Sequence, residues 1–209
     1  MGEQTVFIID DDPAARKGLT RLLNATGMNT ESYASARDFL ATENFDRPGC
    51  IVLDVKMPDM TGPELQEELS KAAYYLPIIF LSAHVDVHTT VQVMKKGAVD
   101  FLMKPVDRDD LLETIRSSLA KDEENRNQRS ENKAISEHIK TLTLREHEVM
   151  TYVITGMLNK QIAGEMNISG ETVKIHRGRV MQKLGIVSVA ELVRLCEKAG
   201  IVPAVPRVK

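Results

Sequence analysis

At 209 residues, with 43% hydrophobic and 27% charged side chains and no Trp, the chain suits two compact domains and has a globular balance that excludes fibrous and disordered classes. The net charge of -3 conceals an asymmetry: residues 1–120 hold 12 basic and 19 acidic side chains (-7), whereas residues 141–209 hold 10 basic and 6 acidic (+4), which makes nucleic acid the natural partner of the second half. Apolar runs such as 6–9 and 78–81 are far shorter than the roughly 20 residues that cross a bilayer, and the start of the chain has no secretion-signal pattern, so a cytoplasmic protein without a membrane partner is expected.

The first 120 residues alternate short β-branched runs with amphipathic segments, the pattern of βα units around a parallel sheet. Strands are predicted at 5–9, 29–33, 50–53, 78–81 and 99–102, which gives a (βα)5 doubly wound α/β fold. Asp12 before Pro13 offers an N-cap and an N1 proline to the first helix, and Gly27 stands just past the apolar stripe of Leu19, Leu22 and Leu23. The two cysteines, Cys50 and Cys196, fall in different halves, which argues for core thiols in a reducing compartment.

Asp10 and Asp11 directly follow the first predicted strand and Asp54 follows the third, so a parallel sheet gathers all three at its carboxyl edge, where such folds bind ligands. Clustered carboxylates raise one another's pKa unless a cation neutralises them, and an oxygen-rich set suits hard Mg2+. Ser82 after the fourth strand and Lys104 after the fifth face the same edge. A hydroxyl and an ammonium are the groups that hold phosphoryl oxygens, so the five residues together describe a phosphate site. Asp12 is read as a helix cap.

Residues 121–140, KDEENRNQRSENKAISEHIK, carry five charges of each sign and neither Pro nor Gly. This linker suits both an extension of the helix begun near Asp110 and a disordered segment. Residues 141–209 show helical periodicity broken at Gly156, around Asn167 and Ser169, and at Gly185, so a small all-α domain of four helices is expected, with a frayed tail over 203–209. Thr143 to Glu146 has the form of a capping box, and Ser169 is an N-cap for the third of these helices.

Residues 158–184 give two helices joined by a short turn, the spacing of a helix-turn-helix. In the second helix Val173, His176, Val180 and Leu184 form a core stripe, leaving Lys174, Arg177, Gly178, Arg179 and Lys183 largely outward. A basic helix face of this kind fits the major groove of double-stranded DNA. Lys160 and Gln161 at the start of the preceding helix are candidate backbone contacts, and Ser169 and Thr172 at the start of the second helix join the candidate DNA-facing set. Gly178 costs up to about 1 kcal/mol as a helix-interior glycine.

The segments IIDDD, LDVKMPDMTG, FLSA and FLMKP at these spacings resemble the receiver domains of two-component response regulators, over residues 5–120. The resemblance implies that Asp54 accepts a phosphoryl group from a sensor histidine kinase, and that Asp10, Asp11, Asp54 and the Lys56 carbonyl bind Mg2+ or Mn2+. It further implies that Ser82 and Lys104 bind phosphoryl oxygens, that Ser82 and Phe101 act as a switch pair, and that the Lys104–Pro105 bond is cis. Phe101 is equally readable as strand core. TLTLREHEVM, NKQIAGEMNIS and TVKIHRGRVMQKLG resemble the LuxR-type output domain, close to the FixJ-like subgroup, over about residues 139–199. The resemblance implies a non-enzymatic transcriptional regulator that dimerises on phosphorylation through its fourth helix and fifth strand, with Val91, Met94 and Val99 in the surface. It also implies promoter DNA as the target, faced by Lys174, Ile175 and Arg177 to Arg179, with RNA polymerase as a further expected partner. A haloacid-dehalogenase-like phosphatase needs an acid two residues after its nucleophile, where Lys56 stands. A regulator set by ligand or partner binding without phosphorylation is another reading, as is an output domain that binds protein. His84, Asp86 and His88 lie close together in a predicted loop but lack a third His or Cys for zinc.

Overall fold

The computed structural model describes residues 3–42, 47–72, 74–83 and 86–205. The chain divides into two compact units, Met1–Arg126 and Asn127–Lys209. The first contains a five-stranded parallel sheet of order β2-β1-β3-β4-β5, from β1 (Thr5–Ile9), β2 (Asn29–Tyr33), β3 (Gly49–Asp54), β4 (Ile78–Ser82) and β5 (Asp100–Met103). Helices α1 (Pro13–Ala25), α2 (Ala36–Leu40), α3 (Gly62–Lys71), α4 (Val87–Lys95) and the first half of α5 (Arg108–Lys140) connect or follow the strands.

The period-2 alternation of the strands divides the core into two layers. Phe7, Ile9, Ile51, Leu53 and Phe80 point to one face, where Phe39 of α2, Leu65 and Leu69 of α3 and Val93 of α4 cover them. Val6, Ile8, Cys50, Val52, Ile79 and Leu81 point to the other, under Leu23 of α1 and Leu111, Leu112 and Ile115 of α5. Both faces of the central strands β1, β3 and β4 are therefore buried, which is why these three read as nearly continuous apolar runs, whereas edge strand β2 is polar and partly exposed. The fifth strand begins one residue later than its apolar run predicts, at Asp100, although the Val99 N–H already donates to the Ile78 carbonyl at 2.8 Å as the chain enters the sheet. Asp12 caps α1 as expected by accepting the Ala14 N–H at 2.9 Å, and Gly27 takes φ +80.

The second unit packs the end of α5 with α6 (Leu144–Val153), α7 (Asn159–Met166), α8 (Gly170–Leu184) and α9 (Val189–Lys198). Its core holds Ile139, Val149, Met150, Val153, Ile162, Val173, Val180, Leu184, Leu192 and Cys196. The predicted breaks have physical counterparts: Asn167 and Gly185 close their helices in the left-handed region, at φ 53 and φ 65. Thr143 and Glu146 form the capping box of α6 and Ser169 caps α8. The tail departs from the frayed expectation as far as Ala204, whose N–H donates to the Thr151 carbonyl at 3.1 Å, and 206–209 lie outside the described residues. Residues 121–140, left open between helix and disorder, all lie in α5. Cys50 and Cys196 are free and buried. No helix among the described residues is long and apolar enough to cross a membrane.

Candidate functional site

Register alone brings the chemistry together. Ile9 pairs with Leu53, so Asp10 leaves β1 beside Asp54 at the end of β3, and Asp54 in turn faces Leu81, one residue before Ser82. Ser82 pairs with Met103, which puts Lys104 next along the same edge. The crevice between β1 and β3 is the topological switch point of this strand order.

Asp10, Asp54 and Ser82 are all buried, and the Lys104 ammonium lies between the two carboxylates, 2.6 Å from Asp10 Oδ2 and 2.5 Å from Asp54 Oδ1. The second oxygen of each carboxylate is also engaged: Asp54 Oδ2 accepts the Lys56 N–H at 2.6 Å, and Asp10 Oδ1 accepts the Asp12 N–H at 2.9 Å. Burial pushes the Asp54 carboxyl above its ordinary range; Lys104 and the Lys56 N–H pull it back, and neighbouring Asp10 raises it again. Burial lowers Lys104, but its hydrogen bonds and attraction to Asp10 and Asp54 outweigh this, so the ammonium is held above its usual value. Two buried acids beside one cation therefore carry an excess of negative charge.

Asp11 is exposed beside this pair, and Lys56 offers the site its backbone N–H while its side chain is exposed. Among the described residues no three His, Cys, Asp or Glu side chains converge tightly enough to hold a metal ion as they stand. Phe101 is half-buried and packs against the core layer that contains Phe80. The Lys104–Pro105 bond is cis.

Two positions that residue-by-residue reading leaves without a role shape the site. Gly62 opens α3 so close to the strand end that an added Cβ would lie 2.4 Å from the Asp54 carbonyl oxygen and 2.9 Å from the Phe80 ring. The Thr61 and Glu64 capping box holds it there, a signal present in the sequence as T-x-x-E. Arg16 of α1 donates to the Asp10 carbonyl at 2.6 Å, which fixes the turn that follows β1. By contrast, His84 lies outside the described residues. Asp86 accepts the His88 and Thr89 N–H groups as N-cap of α4, so Asp86 and His88 open a helix where a loop is predicted. Val99, expected on the face of the fourth helix and fifth strand, is half-buried at the opposite end of β5, whereas Val87, Val91, Met94 and Met103 are exposed.

In the second unit, α7 and α8 meet through Asn167 and Ile168. Lys174, Ile175, Gly178 and Arg179 are exposed on α8, and Lys160 is exposed on α7. The Ser169 hydroxyl caps α8 by accepting the Thr172 N–H at 3.0 Å and lies 2.8 Å from the Thr172 hydroxyl. Gln161 is turned back to accept the Leu158 N–H at 2.7 Å. One cation departs from the outward expectation, and an exposed one is engaged within the domain. Arg177 is half-buried and donates to Asn159 Oδ1 at 3.0 Å, and Lys183 lies 2.7 Å from buried Glu146 and 3.2 Å from the Thr141 carbonyl. His176 is half-buried, and its Nδ1 has no hydrogen-bond partner among the described residues.

Comparison with known proteins matches residues 6–116 to the response regulator receiver domain and residues 140–196 to the bacterial regulatory proteins of the luxR family. The chain is 41% identical to the transcriptional regulatory protein TdiR of Thauera aromatica, over 90% of this chain and 83% of that one. It is 39% identical to the transcriptional regulatory protein FixJ of Azorhizobium caulinodans, over 95% and 94%. The solved structure of the response regulator StyR has a TM-score of 0.81 and 43% identity, over 94% of this chain and 100% of that one.

Proposed function

The chain belongs to the response regulators that join a receiver domain to a LuxR-type DNA-binding domain and regulate transcription, and from that premise we propose that Asp54 is its phosphoacceptor. The observation that carries this reading is the Lys104 ammonium between Asp10 and Asp54 at the carboxyl edge, in a buried site with more anionic than cationic charge. An Asp54 carboxylate oxygen attacks the phosphorus of the kinase phosphohistidine; the new O–P bond forms as the N–P bond breaks, and the imidazole nitrogen leaves with the electron pair. Lys104 and the Ser82 hydroxyl then bind phosphoryl oxygens, and the half-buried Phe101 ring takes up the inward half of a switch once Ser82 is engaged. Asp10, Asp11 and Asp54, with the Lys56 carbonyl, supply the oxygen donors that Mg2+ or Mn2+ takes. When bound, the metal offsets the charge that accumulates on the transferring group.

The proposed division is a receiver over 1–120, a linker over 121–140 and an output domain over 141–209. Phosphorylation shifts the face of α4 and β5, where Val87, Val91, Met94 and Met103 are exposed, toward a homodimer. Two output domains then engage two half-sites, since one small module makes too few contacts for tight specific binding. Lys174, Ile175 and Arg179 face the bases and backbone, Lys160, Ser169 and Thr172 approach phosphates, and Arg177 and Lys183 act mainly within the domain. The regulator works in the cytoplasm, and the surface left free on DNA is available to RNA polymerase.

The test treats wild type and Asp54→Asn with a small phosphodonor in Mg2+. Wild type is expected to gain one phosphoryl mass and to bind a promoter fragment more tightly, and Asp54→Asn to do neither while keeping its circular-dichroism spectrum. Equal stimulation of both proteins overturns the assignment.

A further inference from the structure

At the opposite, amino edge of the sheet, three positions on one face of α5 are tied down. The Leu119 carbonyl accepts from Gln4 Nε2 at 3.1 Å, just before β1. Asp122 Oδ2 accepts the Gly49 N–H, the first of β3, at 2.9 Å, and also Arg126 Nε at 2.8 Å. The Arg126 guanidinium continues to the Arg47 carbonyl at 2.6 Å. Arg47 in turn grips Glu31 of β2 through two hydrogen bonds, of 2.8 and 2.5 Å, and lies 5.2 Å from the centre of the Phe7 ring of β1. Spacings of three and four residues place Leu119, Asp122 and Arg126 in one stripe.

This stripe is costlier than a surface helix needs. Exposed pairs four residues apart contribute little, but Asp122 is 0% exposed, and its Oδ1 has no hydrogen-bond partner among the described residues. Burying a carboxylate is expensive even when paired, so stability alone is a poor reason to keep it. Gly49 also approaches β1 so closely that a Cβ there would lie 1.9 Å from the Thr5 carbonyl oxygen, and the same residue's N–H is the one that Asp122 accepts.

We propose that the Asp122–Arg126 clasp couples the receiver to the output domain by fixing α5 to the amino edge of the sheet as far as Arg126, the last residue of the first compact unit. This rests on the phosphorylation-controlled reading above. A shift of the sheet and its helices then reaches the remainder of α5 as a displacement of a fixed helix, and without the clasp it is absorbed in the first turns of the linker. Asp122 and Arg126 are positioning residues; neither belongs to the phosphorylation site.

The test measures, for full-length wild type, Asp122→Asn and Arg126→Met, the ratio of DNA affinities with and without phosphorylation at equal phosphoryl occupancy. Asp122→Asn keeps an acceptor for Gly49 but removes the ion pair, and Arg126→Met leaves the Asp122 contact to β3, so one variant answers if the other does not fold. Both are expected to accept phosphate within about twofold of the wild-type rate, while the affinity ratio falls by about fivefold or more, within the usual scale of allosteric coupling. A purely structural role lowers thermal stability and leaves the ratio unchanged, which overturns the proposal. A wild-type ratio of one overturns the phosphorylation reading itself, and the clasp's role with it.

Discussion

Lys183 looks like a phosphate contact in the sequence because it follows three other cations along one helix, yet its ammonium closes on buried Glu146 at 2.7 Å. Glu146 also accepts the Thr143 N–H at 2.8 Å. Its carboxyl is held down to about 2, first by the Lys183 hydrogen bond and then by the Thr143 N–H, against the opposing effect of burial. A folded-state value below the ordinary 4.5 means that this stabilisation is complete above about pH 4.5 and is lost as pH falls toward 2. Glu146→Gln, which retains a capping side chain, is expected to lose about 1–2 kcal/mol at pH 7. Urea unfolding of both proteins at pH 7, 4.5 and 3 should show a gap that holds between the first two and narrows at the third; a gap of constant size excludes the assignment. The same kind of partner was invisible for Arg177, because Asn159 is 18 residues away in sequence and meets it only across the α7–α8 turn.

Helices and strands were legible to the extent that their signals are local. Short β-branched runs marked most strands, caps marked the helix starts, and Asn167 and Gly185 marked two ends, because each reports on its own few residues. The fate of residues 121–140 was not legible, since Asp122, Ile135 and Ile139 are sparse and reveal themselves only against Gly49 or the output core. Val99 stands at the start of the fifth strand within one residue of the reading, and its half-burial could not be read there because packing at a strand entrance depends on the neighbouring elements. Gly178 is the clearest local conflict within a helix. It is exposed in the middle of α8, and an added Cβ would meet nothing within 4 Å. Gly178→Ala is expected to raise stability by up to about 1 kcal/mol through helix propensity. Thermal unfolding reads this directly, and a loss of stability would mean that the position needs glycine for a reason other than the free fold.

Over the whole molecule, the carboxyl-edge site was the most legible feature, because a parallel sheet converts strand ends into neighbours whatever the details of packing. Asp10, Asp54, Ser82 and Lys104 come from four strand ends spread over 94 residues and meet at one edge. The metal shell was less legible, since Asp11 is exposed and Lys104 already bridges the other two acids. The proposed homodimer uses the apolar face of α4 and β5, where Val91 and Met94 are 45% and 39% exposed. Val91→Glu with Met94→Glu is expected to leave phosphoryl acceptance intact, to keep the phosphorylated protein monomeric in sedimentation, and to weaken promoter binding about tenfold or more, equivalent to about 1.4 kcal/mol. Dimerisation equal to wild type would move the interface elsewhere.

The Lys104 ammonium at the carboxyl edge has one more consequence. It is a counter-ion on a tether. A dissolved cation can be diluted, chelated or exchanged, but a charge carried by the chain arrives with folding and stays at fixed stoichiometry. The resting edge thus keeps a built-in share of its charge balance whatever ions surround it, and the fold does not have to wait for a metal before its acids can be brought together.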